Sequence, residues 1–131
     1  MKESLLANSK TYTQESSFML HQMKLHREPF DMIKSGEKTI ELRLYDEKRR
    51  AISVGDEIEF TRSGGEEKLV CKVIALYVFE SFAELYDNLP LLKCGYTEKD
   101  ISTASPDDMN AYYSKEEQSK YGVLGIELAL M

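Results

Sequence analysis

The sequence predicts an α+β fold: a small, mixed, mostly antiparallel β-barrel of about five or six strands, with short helices packed over its openings. Three observations predict it. Apolar and polar residues alternate through 39–44, 57–62 and 124–130, the period of a strand with two different faces. Ser63-Gly64-Gly65 joins two such runs as a hairpin turn. The strands are too few, and the helical stretches too irregular, for a doubly wound α/β sheet.

The chain has 131 residues, one domain by length, and enough to bury a self-sufficient core. Residues 1–17, rich in Ser, Thr, Lys and Gln and without periodicity, read as a loose N-terminal arm, which leaves the β-barrel domain at 18–131. A first strand is expected at 18–25, where Met19, His21, Met23 and Leu25 share a face. Pro29 then fits the first turn of a short helix carrying Phe30 and Ile33, and Gly36 fits its left-handed cap. In the following strand Ile40, Leu42 and Leu44 share an apolar face, and Thr39, Glu41 and Arg43 the other.

The charge run Asp46-Glu47-Lys48-Arg49-Arg50 reads as a solvated loop or helical turn, with its arginines within reach of a phosphate. Val54-Gly55-Asp56 turns the chain into 57–62, with Ile58 and Phe60 inward. The return strand, 68–79, becomes apolar on both faces from Val73 and is expected to be buried on both sides. A helix is expected over 81–88, an irregular apolar segment over 89–95, and a helical turn over 97–101. Ser105-Pro106-Asp107-Asp108 opens a helix, with Met109, Tyr112 and Tyr113 as its apolar stripe and Tyr121-Gly122 as its stop. The final strand places Leu124, Ile126, Leu128 and Leu130 on one face and is expected to pair inside the sheet.

Several function classes are excluded early. A net charge of −6 speaks against bulk duplex DNA binding, which needs many cationic contacts to phosphate, but leaves room for a local patch reading one nucleotide or a short single strand. Two cysteines, Cys71 and Cys94, form no Cys-x-x-Cys pair, and a buried reduced thiol is the expected state of Cys71; the composition suits the cytoplasm. No apolar run reaches transmembrane length, so no membrane partner is expected. The two histidines, His21 and His26, lack the spacing and thiol neighbours of a zinc site; neither metal nor cofactor is expected. Ser63-Gly64-Gly65 lacks the length and lysine of a phosphate-binding loop.

The informative stretch is 36–43. Gly36, Lys38, Glu41 and Arg43 put an amine, a carboxylate and a guanidinium at one end of one strand. By spacing alone, such a strand is often just a solvated face with a weak Glu–Arg surface pair. The pattern Gly-x-Lys-x-x-Glu-x-Arg, however, resembles the signature of the ASCH domain family, whose members are similar to PUA RNA-binding domains. The Val54-Gly55-Asp56 turn and the Tyr121-Gly122-Val123 closing strand fit as well, so the resemblance spans nearly the whole chain. It implies a PUA-like fold and a cleft for RNA or a modified nucleoside. Some small members are amidohydrolases of N4-acetylcytidine; they carry a lysine at the Lys38 position and a threonine where this chain has Glu41. Glu84 or Asp87 falls in the region of their later carboxylate.

The leading expectation is therefore a domain binding RNA or a modified nucleoside, with Gly36, Arg43, Tyr45, Arg49, Arg50 and His26 as ligand-binding residues. Arg43 donates in pairs to phosphate or a base edge, and Tyr45, Tyr112 and Tyr113 are candidates for stacking, the last two more naturally packing residues. Two other readings stand beside it. In an amidohydrolase, Lys38 and Glu41 are the reactive catalytic pair. In a protein-interaction module, the charges only hold the fold together.

Overall fold

The computed structural model describes residues 18–131; the arm expected at 1–17 lies outside the described residues. Five strands form one curled sheet: β1 (Leu20–Leu25), β2 (Ile40–Leu44), β3 (Glu57–Arg62), β4 (Lys68–Phe79) and β5 (Val123–Leu130), in the order β1-β3-β4-β5-β2. β1 and β3 run parallel, and every other pair is antiparallel. Four short α-helices, α1 (Arg27–Ser35), α2 (Glu47–Arg50), α3 (Phe82–Asn88) and α4 (Lys115–Tyr121), lie between them, with 3-10 turns at Leu91–Lys93, Ile101–Thr103 and Pro106–Ala111.

The sheet is a half-barrel. Its two edge strands, β1 and β2, approach without pairing in the backbone ladder. A side chain crosses the seam instead: Arg43 on β2 donates from Nη2 to the Lys24 carbonyl on β1 at 2.8 Å.

Alternation works as the sequence promises in most strands. His21, Met23 and Leu25 are buried on β1, Ile58 and Phe60 on β3, and Leu124, Ile126 and Leu128 on β5, together with Phe30 and Ile33 of α1. These form the larger core inside the curl. The other face of β2 and β5 carries a second core: Ile40, Leu42, Leu44 and Val123 pack against Phe82 and Leu85 of α3 and against Met109. β2 is therefore covered on both sides, and its polar face points towards the larger core rather than to solvent. The register fixes this, because Glu41 stands opposite Ile126 and Arg43 opposite Leu124.

The start of the parallel edge is held by Asp56, which is 1% exposed. It accepts hydrogen bonds from the Met19 and Ser53 amides at 3.2 and 2.9 Å, and its Oδ2 lies 2.8 Å from His21 Nε2. His21 is thus a partner of a buried carboxylate. Gly36 closes α1 with a φ of 89°, the left-handed cap that its place in the sequence implies.

Two expectations are corrected. β4 is not buried on both faces beyond Val73: Ile74 and Val78 are 46% and 52% exposed, Ile74 lying in the same alternating phase as the exposed Lys72, ahead of a register shift between Val73 and Ala75. The single helix expected from Ser105 to Tyr121 is two elements. Ser105 caps only the 3-10 turn Pro106–Ala111, and Ser114 starts α4 with its own capping box to Glu117. Tyr112, at that break, is 61% exposed, so the stripe reduces to Met109 and Tyr113. The helical turn expected at 97–101 is present, with the Asp100 and Ile101 amides donating to the Thr97 carbonyl at 3.1 and 2.8 Å, and a 3-10 turn follows at Ile101–Thr103.

Candidate ligand site at the open seam

The site follows from how β2 begins. Gly36 ends α1, and the Lys38 amide then bonds back to the Met32 carbonyl at 3.0 Å, so Lys38 is delivered to the strand's mouth. The Thr39 amide donates to the Lys93 carbonyl at 2.9 Å, which ties the 3-10 segment over that mouth. Gly95, with φ at 115°, lets the chain pass close: a β-carbon there would sit 3.5 Å from Lys38 Nζ.

Glu41 is the hub. Its Oε1 lies 2.9 Å from Lys38 Nζ and its Oε2 2.6 Å from Arg43 Nε. Side-chain exposures are 10%, 6% and 13% for Lys38, Glu41 and Arg43, so all three charges are largely out of water. Burial alone would push the Glu41 carboxyl up, but the two neighbouring cations and their hydrogen bonds outweigh it and hold the carboxyl below its ordinary value. Burial likewise opposes the charge on Arg43, and Glu41 overcomes it, so the guanidinium is stabilised further. The sum is one net positive charge held at the floor of a recess.

Above it opens a cleft of about 480 Å³. Lys38, Glu41 and Arg43 line one side, with His26 at its rim. Tyr86, Tyr96, Asp100, Asp108, Tyr112 and Tyr113 also line it, with the buried Cys94 and Met109, and Glu28, Pro29 and Met32 of α1 contribute as well. Tyr113 is set by near-parallel packing on Phe82, the ring centroids 6.2 Å apart at 14°. The His26 ring lies 6.1 Å from that of Tyr112. Burial raises the Cys94 thiol to about 11, so it stands protonated and inert beside Lys38.

The residues singled out from the sequence do not all meet here. Lys38, Glu41, Arg43 and His26 do, as do the stacking candidates Tyr112 and Tyr113. Gly36 acts through the backbone, as the cap that releases Lys38. Tyr45, Arg49 and Arg50 lie elsewhere. Arg50 stacks 4.2 Å above the Tyr45 ring and donates to the Tyr45 and Tyr121 carbonyls at 2.9 and 3.3 Å, beside a separate cleft. Arg49 Nε lies 3.3 Å from Asp46 Oδ1, near enough for an ion pair although out of line for a hydrogen bond. Glu84 lines that separate cleft as well, and Asp87, next to the pocket-lining Tyr86 in sequence, is exposed and does not line the pocket. Among the described residues no group of three or more His, Cys, Asp or Glu side chains is placed to hold a metal, and no helix is long and apolar enough to cross a membrane.

Comparison with known proteins agrees with the fold. The family model of the ASCH domain matches residues 23–131. The crystal structure of the hypothetical protein PH0355 is similar at 34% identity and a TM-score of 0.71, over 87% of this chain and 100% of that one. The solution structure of PF0455 from Pyrococcus furiosus is similar at 33% identity and a TM-score of 0.63, over 86% and 98%. The ASCH domain from Lactobacillus crispatus, at 14% identity and a TM-score of 0.54 over 93% and 86%, shares the fold. No curated protein matches the chain.

Proposed function

This chain belongs to the ASCH domain family, and on that footing we propose that its cleft binds RNA or a modified nucleoside by taking in one base. One observation carries the reading: the largely buried Lys38–Glu41–Arg43 set forms the floor of a cleft walled by tyrosines. A volume of about 480 Å³ suits a ligand of nucleoside size. Lys38 and Arg43 donate to carbonyl or ring-nitrogen acceptors, and the tyrosines offer flat faces for stacking.

Stability alone does not explain the charges. A buried ion pair seldom outperforms apolar residues of the same volume. Arg43 has a second task in closing the seam, but the Lys38 amine touches only Glu41 among the described residues. An amine kept dry at the floor of a cleft is best accounted for by a ligand.

Binding is favoured over hydrolysis because Glu41 is held as a carboxylate by two cations, which makes it a weak proton acceptor. The experiment is a thermal-shift panel of nucleosides, N4-acetylcytidine and short single-stranded RNA, followed by product analysis. A ligand is expected to raise the midpoint with the logarithm of its excess over Kd, with no acetate released. Acetate release that vanishes in Lys38→Ala would replace the binder by an amidohydrolase. A panel with no shift at all would leave the protein-interaction reading.

A further inference from the structure

The cleft that holds the cations is also lined by a directed chain of hydrogen bonds. Tyr86 Oη lies 2.6 Å from Tyr96 Oη, and Tyr96 Oη lies 2.7 Å from Asp108 Oδ2. All three residues line the cleft. A carboxylate has no proton to give, so Tyr96 must donate to Asp108. Its only proton is then committed, so in the other contact Tyr86 must donate to Tyr96. Both phenol hydrogens therefore run along the wall towards Asp108, and what remains to face a ligand is lone pairs. Asp108 is itself fixed, because the same Oδ2 accepts the Ser105 amide at 3.2 Å in the capping box that starts the 3-10 turn.

The floor has the opposite character. Ammonium and guanidinium groups only donate, and each Glu41 oxygen already accepts from one of them. The cleft is polarised, with donors on the Lys38–Arg43 side and acceptors on the Tyr86–Tyr96–Asp108 side.

We propose that Tyr96, oriented by Asp108, is a specificity determinant of this cleft, selecting ligands that carry an acceptor at one end and an N–H donor at the other, as an amino-pyrimidine does. This rests on the nucleobase reading of the site and narrows it. The lone-pair wall repels a phosphate, so the group entering is the base edge, and bases lacking an exocyclic amine bind less well. Asp108 is a positioning residue: it sets the direction of the two phenol protons.

The test compares two nucleosides of nearly equal size. Cytidine carries both the 2-carbonyl and the 4-amine; the pyrimidin-2-one ribonucleoside keeps the carbonyl and lacks the amine. Titration calorimetry of the full chain is expected to show cytidine binding about 10-fold more tightly, the worth of one hydrogen bond to a strongly accepting partner. In Asp108→Ala the single oxygen that accepts both the Ser105 amide and the Tyr96 hydroxyl is gone. The phenol protons are then free to reverse and the wall becomes a donor. The cytidine preference is expected to fall to within about 3-fold of parity. Tyr96→Phe, which keeps the ring and removes the central acceptor, is expected to lower the preference as well and serves if the first variant folds poorly. Equal affinities in the unaltered protein, or a preference unmoved by both variants, overturn the acceptor wall alone provided that binding depends on Lys38. If neither nucleoside binds, both this inference and the base-binding reading fall.

Discussion

Glu41→Ala is expected to cost about 3–5 kcal/mol of folding stability, measured by urea denaturation at neutral pH. The substitution removes the one carboxylate between Lys38 and Arg43 and leaves two largely buried cations facing each other. Against a typical total of about 5–15 kcal/mol, that is a large share. The loss has a pH signature. The folded-state pKa of Glu41 lies below its ordinary value of 4.5, so its contribution is complete above that value and fades as pH falls through the folded pKa. The unaltered protein should therefore lose stability below about pH 4.5 more steeply than Glu41→Gln, which cannot titrate at this position. Equal slopes for the two proteins would show that Glu41 is not held by its neighbours as described.

Lys38→Met is expected to weaken binding of a nucleoside ligand by about 10- to 100-fold, the worth of a hydrogen bond from a charged donor at about 1.5–3 kcal/mol. Methionine keeps much of the lysine's apolar stem and leaves Glu41 paired with Arg43, whose bond to the Lys24 carbonyl still closes the seam. The fold should thus persist while affinity falls. Titration calorimetry beside a thermal melt separates the two. An unchanged Kd with a lowered melting point would make Lys38 a structural residue. Because Lys38 lies on the donor side, cytidine and its amine-free analogue should weaken alike.

How much of this could be read from the chain depends on what local pattern encodes. The stretch from Gly36 to Arg43 was fully legible as a cap followed by an alternating strand, because φ > 0 at glycine and the two-residue period are local properties. Whether its polar face met water was not, since alternation separates two faces without saying what covers either. The answer came from β5, which places Leu124 and Ile126 opposite Arg43 and Glu41. Proximity in sequence groups Tyr45, Arg49 and Arg50 with the motif, but none of the three lines the cleft, and Tyr45 lies beneath Arg50.

Of the rest of the cleft, Tyr112 and Tyr113 are legible as stacking candidates, but the hydrogen-bonded chain is not. Tyr86, Tyr96 and Asp108 come from three separate elements folded back across β2, and no short-range period links them. Asp108 was noticed only as an acid in a first helical turn, which it is, while its contact with Tyr96 depends on tertiary placement. One miss had a visible signal: Ser114-Lys115-Glu116-Glu117 is a capping-box sequence that breaks the expected helix. The register shift in β4 had none, since Val73, Ile74 and Ala75 read as an unbroken apolar run.

The most direct measurement is a map of ligand-induced NMR shifts on the isotope-labelled protein during titration with cytidine. The account predicts perturbations at Lys38, Glu41, Arg43, Tyr96 and Tyr113, including the side-chain resonances of Lys38 and Arg43, with Tyr45 and Arg50 unmoved. Shifts clustered instead around Arg50 and Tyr121, with the resonances of Lys38 and Arg43 unchanged at saturation, would contradict it.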